Sequence, residues 1–132
     1  MEKKILVVDD EEVIRNMLQE FLSRNGYEVR LADSAETALD ILRRESFMVM
    51  FLDLKLPGIS GIELCKKIRK DNDVGIICAF TGYTDLFGVI DCRRAGFDDF
   101  FTKPVKLELL LQAAQDAFAK LERWNIDEYD IT

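Results

Sequence analysis

Acidic, hydroxyl and basic side chains stand directly after four separate apolar segments of the chain. Asp9 and Asp10 follow the first of these segments, and Asp53, Thr81 and Lys103 each follow a later one. Three carboxylates that lie close together repel one another unless a cation sits among them. Oxygen-only ligands with room for water suit Mg²⁺. These residue types therefore predict a magnesium site, provided that the fold brings them together.

A magnesium ion in such a place invites phosphate chemistry. Its charge offsets that of a transferring phosphoryl group, while the Lys103 ammonium and the Thr81 hydroxyl can hold the remaining oxygens. One carboxylate can then act as a nucleophile and form an acyl phosphate. Asp53 is the best candidate for that role. Asp9 and Asp10 are better suited to holding the metal, because two adjacent acids serve a cation from one side.

Five short apolar segments predict the strands that would position these side chains. Continuous rather than alternating hydrophobicity is typical of a parallel strand that is covered on both faces. The predicted strands span residues 4–8, 27–32, 47–52, 74–80 and 97–102.

Apolar residues at helical spacing after each strand predict five helices. Gly26 and Gly96 are expected to end the first and fourth helices. Ser34 is expected to cap the start of the second, and Thr84 or Asp85 the start of the fourth. The apolar stripes of the helices lie in residues 13–22, 35–42, 64–68, 86–95 and 107–121.

Five strands that alternate with five helices predict parallel pairing with right-handed crossovers. The expected fold class is therefore α/β, with one doubly wound five-stranded parallel sheet and helices on both faces. The carboxyl ends of parallel strands open on one edge of the sheet, so the five polar residues would meet there. We expect one domain over residues 1–122 and an acidic tail over residues 123–132.

Composition argues against several classes of function. The 132 residues carry a net charge of −7, which disfavours direct nucleic-acid binding. The basic stretch Lys66–Lys70 is expected to form a solvated helix face. With no histidine and no Cys-x-x-Cys, a zinc site is not expected. An odd number of cysteines fits a reducing cytosol. No apolar run approaches the roughly 20 residues that span a bilayer, so a cytoplasmic protein is expected.

The polar residues and the turns beside them resemble a known family when they are taken in order. The motifs are Asp9-Asp10, the block from Asp53 to Gly58 with Gly61, Thr81-Gly82, Phe100 and Lys103-Pro104. Together they resemble the response-regulator receiver domains of two-component signalling systems. The resemblance runs from Ile5 to about Leu121 and implies a flavodoxin-like (βα)5 fold that works as a phosphorylation-controlled switch.

The resemblance implies partners and a metal. Asp53 would accept a phosphoryl group from a histidine kinase or a histidine phosphotransfer protein. Mg²⁺ would be held by Asp9, Asp10 and Asp53, together with the backbone carbonyl of Lys55. Lys103 would pair with the phosphoryl oxygens, and the peptide bond between it and the following proline is expected to be cis.

The resemblance also implies a readout. Thr81 would move towards the phosphoryl group, and Phe100 would change rotamer with it. The face made by the fourth helix, fifth strand and fifth helix would then regulate an output domain, a downstream protein or a second copy of the chain. The apolar residues at the start of the fourth helix and the triplet Leu109–Leu111 fit either such an interface or deep core packing.

A cation and a bulky side chain are departures from the family that the chain resembles, at two positions where that family tends to tune how fast water removes the phosphoryl group. Lys55 stands two positions beyond Asp53, and Tyr83 two positions beyond Thr81. Both are expected to crowd the path of attacking water and to lengthen the phosphorylated lifetime.

Other interpretations stay open at this point. Taken singly, the acids from Asp9 to Glu12 could favour a helix N-terminus, Asp53 could cap a turn, and Lys103 could be solvated. Cys65, Cys78 and Cys92 are expected to be buried small hydrophobes. An alternative function is a small Mg²⁺-dependent phosphatase with an aspartate nucleophile. Its usual second Asp is replaced here by Lys55. A flavin-binding module is disfavoured, because four acids after the first strand would repel phosphate.

Overall fold

The structure is a computed structural model that describes residues 3–82 and 86–126, of which residues 86 and 87 are described by their backbone alone. Its five strands are β1 Lys4–Val8, β2 Glu28–Ala32, β3 Val49–Leu52, β4 Ile76–Thr81 and β5 Asp99–Thr102. Its five helices are α1 Glu12–Arg24, α2 Ala35–Arg44, α3 Gly61–Arg69, α4 Leu86–Ala95 and α5 Leu107–Arg123.

All four strand pairings are parallel, and the strand order is β2-β1-β3-β4-β5. The predicted α/β fold, a five-stranded parallel sheet with five helices, is confirmed. Four strands, β2 to β5, begin one or two residues later than predicted, and β4 also ends one residue later. Tyr27, Phe47 and Phe97 are buried just before their strands begin. Hydrophobicity indicates burial rather than the hydrogen bonding of a strand to its neighbours. The apolar runs therefore predicted strand starts that are too early.

The sheet separates two apolar cores. Along β1, Leu6 and Val8 pack with residues of α2, α3 and α4, while Ile5 and Val7 pack with residues of α1 and α5. This division follows from the two-residue period of a strand, which sends successive side chains to opposite faces. Helices therefore cover both faces, and the strand ends are left open at the edges.

Helix ends follow the predicted chemistry where they are described. The Ser34 hydroxyl accepts a hydrogen bond from the Thr37 backbone N–H at 3.2 Å, and Ser60 caps α3 in the same way. Gly26 and Gly96 have φ values of 93° and 108°, as glycines that end helices often do. The caps predicted for α4, Thr84 and Asp85, lie outside the described residues.

One basic residue of α3 was assigned wrongly. The predicted solvated face holds for Lys66, Lys67 and Lys70, which are exposed, but not for Arg69. The Arg69 side chain is only 17% exposed and is paired with Asp98. It belongs to the last turn of α3, which lies against the loops that precede β4 and β5.

The remaining apolar predictions have separate outcomes. Cys65, Cys78 and Cys92 are free and buried, as predicted. In the leucine triplet of α5, Leu110 is buried and Leu109 is 52% exposed, so core packing and exposure are both present. The peptide bond between Lys103 and Pro104 is cis, as predicted. Within the part of the chain that is described, no helix combines the length and apolarity needed to cross a membrane.

Candidate functional site

Backbone hydrogen bonds carry the sheet one residue past its strands and fix the site at the carboxyl edge. The Asp9 N–H donates to the Ala32 carbonyl at 3.1 Å, and the Asp53 N–H donates to the Val8 carbonyl at 2.9 Å. On the other side, the N–H of Lys103 donates to the carbonyl of Thr81 at 2.8 Å. These residues are therefore placed by the ladder itself and not by mobile loops.

The Lys103 ammonium joins the two buried acids. Its Nζ lies 2.8 Å from Asp9 Oδ2 and 2.9 Å from Asp53 Oδ2. Glu11 Oε1 lies 3.7 Å from the same nitrogen, and the nitrogen sits 5.1 Å from the centre of the Phe80 ring. The structure thus brings together residues that are 94 and 50 positions apart from Lys103 in the chain.

Each buried acid also uses its second oxygen. Asp9 Oδ1 accepts a hydrogen bond from the Glu11 N–H at 2.8 Å, and Asp53 Oδ1 accepts one from the Lys55 N–H at 3.2 Å. Asp9 is completely buried and Asp53 is 4% exposed, whereas Asp10 is exposed. The two buried carboxylates are consequently held in fixed orientations, and of the two Asp53 lines the open cleft.

Carboxylate oxygens of Asp9, Asp10 and Asp53 all lie within 4.8 Å of one another. Among the residues that the structure describes, the Lys103 ammonium is the cation that pairs with this group, through Asp9 and Asp53, so three carboxylates outnumber it and negative charge is in excess. Burial raises the pKa of Asp9, and the hydrogen bonds from Lys103 and the Glu11 backbone oppose that rise only in part. This crowded, oxygen-only donor set fits a small divalent cation such as Mg²⁺.

The pKa of Lys103 reflects the excess of negative charge in the cluster. Burial by itself would lower the pKa of Lys103, but the hydrogen bonds to Asp9 and Asp53 and their negative charges outweigh it, so the pKa is raised. The ammonium therefore stays charged throughout the physiological range. It is a permanent cation that can pair with a carboxylate or with an anion delivered to Asp53.

Gly61 shapes the loop that carries Asp53. A Cβ at this position would lie 2.1 Å from the Asp53 backbone oxygen and 2.8 Å from Leu54 Cα. The Gly61 N–H in turn donates to the Leu54 carbonyl at 2.9 Å. The start of α3 can approach the end of β3 this closely only because Gly61 has no side chain. This approach brings together the two ends of the β3–α3 loop, which carries Lys55.

Thr81 and Phe100 lie on the α4 side of the sheet. Thr81 is the last residue of β4 and is 1% exposed. Phe100 pairs in register with Ala79, two residues before Thr81, and packs half-buried against the core shared with α4. Because side chains alternate along a strand, the Phe100 ring and the Thr81 side chain share one face.

An open cleft of about 650 Å³ joins these groups. Its lining includes Asp10, Asp53, Lys55, Thr81 and Lys103. The Lys55 side chain is exposed at this rim. The second residue predicted to crowd the cleft, Tyr83, lies outside the described residues.

Sequence reasoning missed two contacts. The Glu11 carboxylate beside Lys103 was treated only as part of an acidic run. The guanidinium of Arg15 donates to the Asp9 carbonyl at 2.9 Å, and it was passed over as a polar position on α1. A residue six positions after an acid, on the first turn of a helix, gives little signal by itself.

Comparison with known proteins identifies the family. The family model of the response regulator receiver domain matches residues 5–115. Alkaline phosphatase synthesis transcriptional regulatory protein PhoP of Bacillus subtilis is 41% identical over 104 residues, which cover 79% of this chain and 43% of that protein. The chain belongs to the response regulator receiver domain family.

A second relative and a solved structure agree. A cyclic di-GMP phosphodiesterase of Thermotoga maritima is 38% identical over 106 residues, covering 80% of this chain and 28% of that protein. The crystal structure of a CheY-like receiver domain protein from Methanospirillum hungatei JF-1 has a TM-score of 0.89 at 32% identity, covering 93% of this chain and 98% of that one.

These relatives define what the chain is at the level of its class. It is a receiver domain of two-component response regulators, and the family match supports a phosphorylation-controlled switch over the phosphatase alternative. The chain spans about half or less of the length of the curated relatives named here. What those longer proteins regulate or hydrolyse is a property of the whole proteins.

Proposed function

We propose that Asp53 is the phosphoryl acceptor of this receiver. The observation that carries the proposal is the shared ammonium, since Lys103 Nζ lies within 2.9 Å of both Asp9 and Asp53. The Asp53 carboxylate also lines the open cleft, whereas Asp9 is completely buried. Of the two buried acids that Lys103 binds, Asp53 is therefore the one that opens towards an incoming donor.

Mg²⁺ is the cofactor that we assign to the cluster. Asp9, Asp10 and Asp53 would hold it together with the backbone carbonyl of Lys55. When bound, the ion offsets the negative charge of the transferring phosphoryl group. The support for this assignment is the 4.8 Å grouping of the three carboxylates.

The transfer itself needs one bond exchange. A carboxylate oxygen of Asp53 attacks the phosphorus of a phosphohistidine, the oxygen–phosphorus bond forms, and the nitrogen–phosphorus bond breaks. The electron pair of the broken bond stays on the imidazole nitrogen of the donor. Lys103 exchanges its Asp53 contact for a phosphoryl oxygen, and the Thr81 hydroxyl binds another. In the reverse step, water would attack the phosphorus and the bond to the Asp53 oxygen would break, which releases inorganic phosphate and restores the carboxylate. On this proposal the domain catalyses only its own phosphorylation and dephosphorylation.

Phosphorylation would change the position of α4. Drawing Thr81 towards the phosphoryl group shifts the end of β4, and Phe100 on the same face changes rotamer with it. The surface of α4, β5 and α5 then differs between the two states, and a partner that binds one state better shifts the equilibrium. The exposed Leu109 lies on α5, which forms part of that surface.

The partners follow from the class. The phosphoryl donor is a histidine kinase or a histidine phosphotransfer protein, and the reader is an output domain, a downstream protein or a second copy of the chain. We place the protein in the cytoplasm, without direct contacts to nucleic acid or membrane. The receiver would span residues 1–122, with residues 123–132 as an acidic tail.

Phosphorylation by a small phosphodonor tests the proposal. With Mg²⁺ and acetyl phosphate, wild-type protein should gain the mass of one phosphoryl group, and Asp53→Asn should gain none. Asp116→Asn is a matched control, because Asp116 is an exposed acid on α5, and it should be labelled like wild type. Equal labelling of Asp53→Asn and wild type would remove Asp53 from the mechanism.

A further inference from the structure

Arg69 connects the end of α3 to the loops that precede β4 and β5, at the edge of the sheet opposite the site. Its Nε and Nη2 donate to the Gly96 carbonyl at 2.9 and 2.6 Å. Its Nη1 donates to the carbonyls of Gly75 at 2.8 Å and Asn72 at 3.2 Å. Nη2 also pairs with Asp98 Oδ2 at 2.8 Å. All three guanidinium nitrogens are thus engaged.

These bonds fasten the C-terminal end of α4. Gly96 directly follows α4, and Asp98 leads into β5. The same Asp98 oxygen accepts the Ile77 N–H at 2.9 Å, which connects the loop to β4. A Cβ on Gly96 would lie 2.9 Å from Arg69 Cγ, so the arginine is packed directly against this turn.

A second contact strengthens the same junction. The Cys65 thiol lies one turn before Arg69 on α3 and donates to the Ala95 carbonyl at 3.5 Å. Ala95 and Cys92 are buried on this side of α4. The end of α4 is therefore fixed to α3 by the hydrogen bonds of the Arg69 guanidinium and by the buried Cys65 thiol.

The other end of α4 follows β4, whose last residue, Thr81, lines the cleft. α4 begins at Leu86, five positions after Thr81. Its ten residues make a rod about 15 Å long. A displacement of Thr81 therefore reaches α4 at the end remote from Arg69.

We propose that Arg69 is a positioning residue that makes the C-terminal end of α4 a fixed pivot. This inference rests on the proposed function, in which phosphorylation of Asp53 moves Thr81. With the far end pinned, the displacement becomes a rotation of α4 about its last turn. Without the Arg69 hydrogen bonds, the whole of α4 would move or become more mobile, and the surface of α4, β5 and α5 would no longer change between two distinct conformations. Arginine is needed because a lysine offers a single point of contact and not a planar fork.

Backbone amide exchange with and without beryllofluoride, which mimics an acyl phosphate, tests the pivot. In wild type with Mg²⁺, beryllofluoride should change the exchange rates of residues 86–90, while residues 91–96 keep theirs. In Arg69→Met, the last turn should exchange about tenfold or more faster, since hydrogen bonds to a charged group are lost. The beryllofluoride effect should then extend along the whole helix. Lys67→Met is the matched control, because Lys67 is an exposed cation on the same helix.

The outcomes separate the pivot from the proposed function. Beryllofluoride effects of equal size at both ends of wild-type α4 would overturn the pivot, and so would a wild-type pattern in Arg69→Met. Where Arg69→Met does not fold, Arg69→Lys carries the comparison, and the wild-type measurement stands without any variant. An absence of any Mg²⁺-dependent beryllofluoride effect in wild type would overturn the proposed function itself, and the pivot with it.

Discussion

Replacing Gly61 with alanine should distort the loop that carries Asp53. The added methyl would lie 2.1 Å from the Asp53 carbonyl oxygen and 2.8 Å from Leu54 Cα. Both obstacles are backbone atoms. Relief therefore requires α3 and the β3 end to separate by about 1.5 Å, because ordinary contacts to carbon lie near 3.5–4.0 Å. No side-chain rotation can provide that space.

The cost of this separation can be worked out in two parts. Overpacking against a well-ordered interior costs about 1–3 kcal/mol, and the upper value applies here because the obstacle is backbone. Alanine also restricts the unfolded chain, which returns about 0.4–1 kcal/mol. The net loss is about 2 kcal/mol, which corresponds to a melting temperature lower by roughly 6–10 °C in a domain of this size.

Thermal unfolding followed by circular dichroism measures the effect. Gly82→Ala is the matched control, because a Cβ there has no atom within 4 Å among the residues described. It should change the free energy of unfolding by less than about 0.5 kcal/mol. A Gly61→Ala protein that melts together with wild type and with Gly82→Ala would refute the claim that this close approach holds the loop.

Two further predictions concern the lysine and the thiols. Lys103→Met should lower the free energy of unfolding of the metal-free protein by about 1–3 kcal/mol, because the buried Asp9 carboxylate loses its ammonium partner. The same variant should bind Mg²⁺ more tightly, because the competing ammonium is gone. Urea unfolding measures the first effect and calorimetry the second, and weaker Mg²⁺ binding would contradict the assignment. Burial raises the pKa of Cys65 and Cys92 to about 11 and that of Cys78 to about 12, so native protein at pH 8 should react with a disulfide reagent far more slowly than unfolded protein, and equal rates would contradict the burial. Since these folded-state pKa values lie above those of unfolded thiols, near 8.5, their contribution to stability is present below that pH and is lost as the pH rises towards 11–12; this decline should be shallower in Cys78→Ala.

The parts of the fold that could be predicted are those that local pattern determines. A continuous apolar run followed by a polar residue marks the end of a parallel strand, and the end is where Asp53 and Lys103 stand. Strand starts could not be placed as well, because Phe47 and Phe97 are buried before the ladder begins. Burial and hydrogen bonding coincide at one end of these strands and separate at the other.

The contacts that could not be predicted depend on how elements approach one another. Arg69 looks like its solvated neighbours in the sequence, and only the approach of α3 to the turn after α4 gives it five hydrogen bonds. The contacts of Glu11 and Arg15 likewise depend on the orientation of the first turn of α1. Leu109 and Leu110 have the same side chain but opposite exposure, which depends on the rotation of α5.

The most direct test of the account is a magnesium titration read at the aspartate carboxyl carbons by nuclear magnetic resonance. The signals of Asp9, Asp10 and Asp53 should shift together and saturate with one dissociation constant, while that of the exposed Asp116 stays in place. Signals that do not move, or aspartates across the whole chain that shift alike without saturation, would contradict a magnesium site built from these three acids.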